Sequence, residues 1–335
     1  MTTDTNKDNF SQVPLSKISP NENLPSDIYI KIADKYIKFK PSGEPLTAEK
    51  YNLFLARNVG FLFVEKSSLP SFIEWTQKNR NREVQTLVDR VGEEHRELAE
   101  ASQEMEESVV EIFTQKELTV EHIKQLESDT TSFIEKTKKY KTSQEVLANL
   151  TKFNLCVAGH SVNVGNLSVF LAMALGQGHQ YVLENLYLGA LFHDYARAKI
   201  DPEILKNTDS SDYKNAMNIH PTEAVNIMKQ AKKMPEPVYM IVGQHEEHHN
   251  GEGYPNKLKG DAIYSLTRIL SFCNIFENLV SENKQKLPNE EPPIAAYIET
   301  LKTMKRYKGT RINPDICEKS ITVFCKALGI SHKDI

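Results

Sequence analysis

His193 and Asp194 stand side by side at the end of an apolar run, Tyr181 to Phe192. Neighbours on a helix point about 100° apart, so an imidazole can hold a metal ion from one side while the carboxylate reaches sideways. A carboxylate has two oxygens and can bridge two cations, which an imidazole cannot do. An Asp at the end of an apolar helix needs a partner, because a buried charge without one is unfavourable. Alone, such a pair reads as a helix-end cap beside a core histidine. Three further histidines change that reading. His160 lies on the apolar stretch Ala158 to Val162, His220 opens the run His220-Pro-Thr-Glu, and His245 closes or nearly closes a helix from Val238 to Glu247. All four sit at apolar helices rather than in charged loops. Imidazoles and a carboxylate without thiolates suit iron, manganese or another divalent first-row metal.

A second stretch with chemical potential is His245-Glu-Glu-His-His-Asn-Gly-Glu-Gly-Tyr-Pro255. Gly251 and Gly253 give backbone freedom and exposed N–H groups, and Pro255 stiffens the exit. Beside a metal pair such a loop could seat a phosphate or a base; otherwise it is a helix-terminating turn. Gln244, His248 and His249 add polar groups nearby.

These residues need a helical frame, and the periodicity supplies one. From Ser143 onward, apolar residues recur with the helical period, broken by Gly or Pro. The expected helices cover 143–153, 156–176, 181–194, 201–206, 220–233, 235–247, 261–283, 293–306 and 313–327. His193 follows His160 by enough chain for a helix, a turn and a helix returning antiparallel. The fold class is therefore mainly α: an all-α bundle over 142–335, able to hold a polar site between facing helices.

Ahead of the bundle, residues 1–24 are polar and read as a flexible tail. Residues 25–78 read as a small α+β module with little core of its own. Its parts are a hairpin from Ile28–Ile32 and Tyr36–Lys40, a helix Ala48–Arg57 capped by Thr47, and a strand Gly60–Val64. It carries no catalytic constellation, so sensing or docking a protein partner is its expected role. Residues 79–141 read as a helical connector, with Glu94–Glu107 as a solvated acidic face and His95 and His122 as surface residues. A connector of this kind would suit a homodimer.

The chain has 335 residues, a net charge of -4 and a hydrophobic fraction of 39%. Near-balanced charge does not nominate nucleic acid as a partner. The first twenty residues show no signal pattern, and no apolar run stands out as a membrane span. Cys156, Cys273, Cys317 and Cys325 form no CxxC pair and look like reduced thiols of a cytoplasmic protein.

Together, His160-Ser161, His193-Asp194, His220-Pro221 and His245…Gly251-Glu-Gly-Tyr-Pro255 resemble the HD-GYP family of HD-domain phosphohydrolases. Pro202-Glu-Ile-Leu205 and Arg268-Ile-Leu…Asn274-Ile-Phe-Glu277 fit the segments between and after those motifs. The resemblance covers about residues 150–285. It implies an all-α HD-type fold with two divalent metal ions, iron above all, and hydrolysis of cyclic di-GMP to pGpG or GMP in bacterial signalling. Carried over, His160, His193 and Asp194 would hold one metal, with Asp194 bridging to a second held by His220 and His245. Gly253, Tyr254 and Pro255 would help form the substrate pocket. Four departures accompany this. Glu246 stands where the family has a second His ligand, and as a carboxylate it can bind iron or manganese there. Asn274 stands where the family has a metal-binding Asp and would ligate only through its amide oxygen, so that metal should bind more weakly. Arg197 replaces the usual phosphate-facing Lys, and Asn250 the usual Asp before the loop. Cys156 occupies the place of the Glu that supports a third metal in some members, so two metals are expected rather than three. Three functions fit: a cyclic di-GMP phosphodiesterase, a degenerate domain that binds a nucleotide or protein without turnover, and a phosphohydrolase acting on another phosphate ester.

Overall fold

The computed structural model of the chain describes residues 9–33, 35–139, 147–150, 157–287 and 293–335. It begins with a four-stranded antiparallel sheet made of β1 (Phe10–Pro14), β2 (Ile28–Ile32), β3 (Lys35–Lys40) and β4 (Phe61–Glu65), in the order β1-β4-β2-β3. β2 and β3 form the expected hairpin; Asp34, in its connection, lies outside the described residues. Helix α1 (Ala48–Ala56) starts at Thr47, whose hydroxyl accepts from Lys50 N at 3.3 Å.

The flexible tail must be corrected from residue 9 onward. β1 pairs along its whole length with β4, and Leu15, Ile18 and Leu24 are buried. Average polarity concealed a few well-spaced apolar side chains, whose burial is enough to fix the segment. As expected, the module has little core of its own, namely the cluster of Phe10, Tyr29 and Phe63 with Tyr36 packed against it. Val13, Leu15, Leu46, Phe54 and Leu62 belong to one apolar core shared with the helices that follow.

Those helices are α2 (Leu69–Val91), α3 (Arg96–Phe113) and α4 (Val120–Lys139). They form part of the bundle rather than a free connector. Phe133 of α4 packs 4.9 Å from Tyr187 of the bundle, between ring centroids. The Tyr187 hydroxyl donates to Asn166 Oδ1, and Asn166 Nδ2 donates to Ser102 Oγ of α3. The acidic stretch of α3 is amphipathic: Leu98, Ala99 and Met105 are buried while Glu104 is exposed. The two histidines read as surface residues are not plain ones. His95 is buried, its Nδ1 2.8 Å from Val91 O, a last-turn carbonyl that the helix leaves without a partner. His122 accepts from Thr119 N while Thr119 Oγ1 accepts from His122 N, a reciprocal cap at the start of α4.

The remaining helices are α5 (Val157–Ala174), α6 (Gln180–Phe192), α7 (Pro202–Lys206), α8 (Ser211–Ala231), α9 (Glu236–Gln244), α10 (Ser265–Lys286), α11 (Ile294–Arg306) and α12 (Pro314–Ala327). The expected helix 143–153 falls largely outside the described residues, as does Cys156. By length and composition α5 could cross a membrane, contrary to the sequence reading, but 83% of it is buried inside the fold. It is apolar because other helices surround it. α8 begins nine residues before His220, at a cap where Ser210 Oγ accepts from Tyr213 N. His220 therefore lies inside a helix rather than at its start, and Pro221 is a helix-interior proline. Gly189 lets α6 and α9 approach closely: a Cβ there would lie 2.5 Å from Ile241 Cγ2. That contact sets the ends of α6 and α9, with His193 and His245, beside each other.

Candidate metal centre

His193 and His245 follow the last residues of α6 and α9, where carbonyls run out of helical N–H donors. Each ring uses one of them. His193 Nδ1 lies 2.7 Å from Ala190 O, and His245 Nδ1 lies 2.7 Å from Val242 O. His220 is mid-helix, yet it finds the same kind of partner, with Nδ1 2.8 Å from Met217 O. Pro221 explains this. The N–H that would normally bond Met217 O belongs to residue 221, and proline has none. His160, on α5, has its Nδ1 2.5 Å from Glu277 Oε2 of α10, and Asn163 Nδ2 donates to Glu277 Oε1 at 3.1 Å.

With every Nδ1 engaged by an acceptor, the Nδ1–H tautomer follows, and the four Nε2 lone pairs turn inward. They meet in two pairs. His160 and His193 Nε2 are 3.2 Å apart, and His220 and His245 Nε2 are 3.1 Å apart. Asp194 stands between the pairs. Its Oδ2 is 3.9 and 3.7 Å from His160 and His193, and its Oδ1 is 3.4 and 3.8 Å from His220 and His245. All five groups are buried. Two donor triads sharing one carboxylate result, His160/His193/Asp194 and Asp194/His220/His245.

The electrostatics suit a cation. Burial pushes the His193 ring down to about 3 against the pull of Asp194, and burial also lowers His245, so both rings are neutral ligands at pH 7. His160 differs: burial opposes its charge, but the Glu277 carboxylate more than offsets this and raises it. Burial works against the Asp194 carboxylate too, yet Arg197 and the surrounding rings hold it well below the usual range. Neutral lone pairs 3.1–3.2 Å apart repel unless a proton or a cation lies between them. The donor set therefore fits two divalent ions of the imidazole- and carboxylate-binding kind.

The other residues named from sequence fall around this core. Glu246 Oε1 is 3.8 Å from His245 Nε2, on the second triad's side. Arg197 Nη1 donates to Asp194 Oδ2 at 2.5 Å, while its buried Nε has no partner. Asn274 is buried, with its amide oxygen accepting from Asn278 Nδ2 at 2.9 Å. Tyr254 stands edge-on to His220, 6.3 Å between ring centroids, and burial raises its phenol. Gly253 is where close packing demands glycine: a Cβ would lie 2.2 Å from His248 N and 2.4 Å from Glu246 O. The Tyr254-Pro255 peptide is cis. The side chains of Gln244 and His248 have partners away from the triads, whereas the buried Nδ1 of His249 has none. Gln244 accepts from Tyr264 N, His248 from Arg311 Nε, and the His249 backbone pairs with Arg311 O.

Two carboxylates were not assigned roles from sequence. Glu277 orients His160, and Glu247, buried, accepts from Asn256 N and Leu258 N and so anchors the loop after the Gly-Tyr-Pro turn. Glu277 does share a helix face with Asn274, one turn away. Nothing in the sequence signals its partner on another helix.

A cleft of about 350 Å³ opens beside His160, Arg197 and Glu277, and α1 of the N-terminal module contributes to its wall. A larger hollow of about 800 Å³ lies between the module and α2 and α3; the buried histidines do not line it.

The sequence model of the HD domain family matches residues 115–316, which takes in α4 as well as the later helices. No curated protein matches the chain. Among solved structures, Bd1817, an HDG"Y"P protein from Bdellovibrio bacteriovorus, is 20% identical with a TM-score of 0.62, over 94% of this chain and 99% of that one. A cyclic GMP-AMP specific phosphodiesterase of V. cholerae, V-cGAP3, is 17% identical with a TM-score of 0.41, over 56% of this chain and 50% of that one.

Proposed function

The chain belongs to the HD domain family, and from that premise we propose that it is a metal-dependent phosphodiesterase of the HD-GYP type, with cyclic di-GMP as its substrate. One observation carries the reading: two facing pairs of imidazole Nε2 atoms, every Nδ1 engaged, on either side of one carboxylate. A pair of divalent ions, iron or manganese, when bound there supplies Lewis acidity toward a phosphoryl oxygen and makes water nucleophilic at neutral pH. His160 and His193 would hold the first, His220, His245 and Glu246 the second, and Asp194 both. The protein's own groups do the rest. Arg197, anchored on Asp194 through Nη1, has its Nε left to donate to a phosphate oxygen. Tyr254, kept protonated by burial beside His220, can donate a hydrogen bond on the second triad's side. The Nδ1 anchors keep the rings from turning as charge develops on the substrate.

A second reading, nucleotide binding without turnover, is favoured by a specific feature. The Asp194 oxygen that faces the first imidazole pair is also ion-paired with Arg197, and the family's charged Asp is here the neutral Asn274, whose amide oxygen accepts from Asn278. One anaerobic preparation tests both. Metals are counted by mass spectrometry, and cyclic di-GMP is incubated with the same sample and followed by chromatography. Two metals per chain with pGpG or GMP formed is the expected result. Two metals with no cleavage of cyclic di-GMP would refute the proposal; saturable binding would then select the second reading, and cleavage of another phosphate ester a different substrate.

A further inference from the structure

We propose that the N-terminal module completes the ligand cleft, with Glu49 and Asn52 of α1 acting as specificity-determining residues for one nucleotide half of the substrate. The inference rests on the phosphodiester-binding reading above. The cleft has two unlike ends. At one are His160, Glu277 and Arg197, whose Nε is free to meet a phosphate. At the other are Glu49 and Asn52 of α1, with Lys206 of α7. The rest of the wall is mainly apolar, with Val157, Ala198, Ile200, Pro202 and Leu205 joined by Asn278 and Ser281 of α10. A mainly apolar wall carrying an amide, with a guanidinium and a candidate metal ligand at the other end, is the complement of a nucleoside phosphate. About 350 Å³ suits one nucleotide rather than a whole cyclic dinucleotide, so the second half would project through the open mouth.

The α1 wall is fixed to the segment that carries the metal-binding Asp194 and Arg197. Lys206 Nζ pairs with Glu49 Oε1 at 2.8 Å, and Arg57 Nη2 pairs with Asp201 Oδ2 at 2.7 Å. Lys199 Nζ donates to Asn58 Oδ1 at 2.6 Å, to Gln115 O at 3.1 Å and to Phe113 O. The module therefore cannot drift from the cleft without breaking contacts made within twelve residues of Asp194.

GMP, one half of the proposed substrate, is the probe, titrated calorimetrically into metal-loaded full-length protein. Asn52→Ala should weaken binding about tenfold, the loss of about one hydrogen bond. Glu49→Gln, at a side chain 57% exposed, should tighten it about twofold to threefold by removing a negative charge from a mouth that admits an anion. Both variants should keep the wild-type metal content. Opposite shifts from two neighbouring residues are not what a merely structural role would give. Should Asn52→Ala fail to fold, Glu49→Gln decides alone. Wild-type protein that does not bind GMP, or variants that bind it as the wild type does, overturns the proposal. Turnover of cyclic di-GMP by the wild type, read on the same preparation, separates the two readings. Turnover with unchanged variants leaves the phosphodiesterase standing and removes the module from its site. Cleft-dependent GMP binding without turnover does the reverse.

Discussion

Replacing Pro221 by alanine should stabilise the metal-free protein and weaken its hold on metal. The proline lies inside α8, and the missing N–H leaves Met217 O to His220 Nδ1 at 2.8 Å. A helix-interior proline costs about 3 kcal/mol relative to alanine. Truncating the buried ring by two methylenes loses about 1.6 kcal/mol of apolar burial. The difference leaves the metal-free variant more stable by roughly 1 kcal/mol, which in a chain of 335 residues raises Tm by about 1–2 °C. The new N–H at position 221 would then compete for Met217 O and release the His220 ring. A hydrogen bond of this kind contributes about 1 kcal/mol, and loss of a partner that orients a ligand typically weakens metal binding about 10- to 100-fold. Differential scanning calorimetry of chelated protein gives the first quantity, and competition with a metal-sensitive dye gives the second. The two should move in opposite directions. Unchanged metal affinity would refute the claim that the His-Pro pair aims this ring; a lower Tm of the metal-free variant would show that proline packing outweighs its helix penalty.

Gly253→Ala should destabilise the protein by about 2–4 kcal/mol in urea denaturation, because its Cβ meets backbone atoms that cannot yield. Glu246→Gln should selectively weaken one of two manganese equivalents followed by electron paramagnetic resonance, that of the His220/His245 side, whereas equal weakening of both would count against Glu246 as a ligand. Lys199, half-enclosed among carbonyls, is pushed by burial from 10.5 down to about 8. The unfolded chain then binds more protons between those values, so stability from this group rises with pH from about 8 to 10.5, by on the order of 1 kcal/mol per unit. The unfolding free energy of wild type minus that of Lys199→Met should increase across that window, and a flat difference would show that the ammonium is not penalised.

The histidine–aspartate cluster was legible in outline because imidazoles on apolar helices are conspicuous. His160, His193, His220 and His245 had few surface roles open to them, and the structure draws them together around Asp194. What orients them was not legible. Three of the four anchors are backbone carbonyls left over at helix ends or by Pro221, and the fourth, Glu277, is 117 residues from its partner. The same proline misled the reading of α8: Pro at the first helical position is a common start signal, and here it sits mid-helix. The N-terminal segment is not legible as structure because composition averages over a few apolar residues that serve two clusters, Phe10 with Tyr29 and Phe63, and Val13, Leu15, Ile18 and Leu24 in the main core. That α1 walls the cleft is a tertiary fact, carried by ion pairs across the chain that no local pattern encodes.

The departures from the family pattern redistribute charge rather than merely remove it. On the second side of Asp194 a carboxylate, Glu246, stands near His245 where an imidazole was expected. The carboxylate that the family pattern expects for the first metal is here the neutral Asn274, and on that side Glu277 is engaged with the outer nitrogen of His160. Arg197 completes the asymmetry by pairing with Asp194 Oδ2, the oxygen on that first side. Of the two proposed half-sites, the second is therefore expected to be the stronger cation site and to fill first. The first half-site competes with a guanidinium for the same oxygen, so whatever neutralises Asp194 Oδ2 there also frees Arg197. A guanidinium released at the mouth of the cleft is the group best shaped to clamp a phosphate. Occupancy of the weaker half-site and capture of an anionic ligand are thus tied through one carboxylate oxygen, and each should strengthen the other by the same factor.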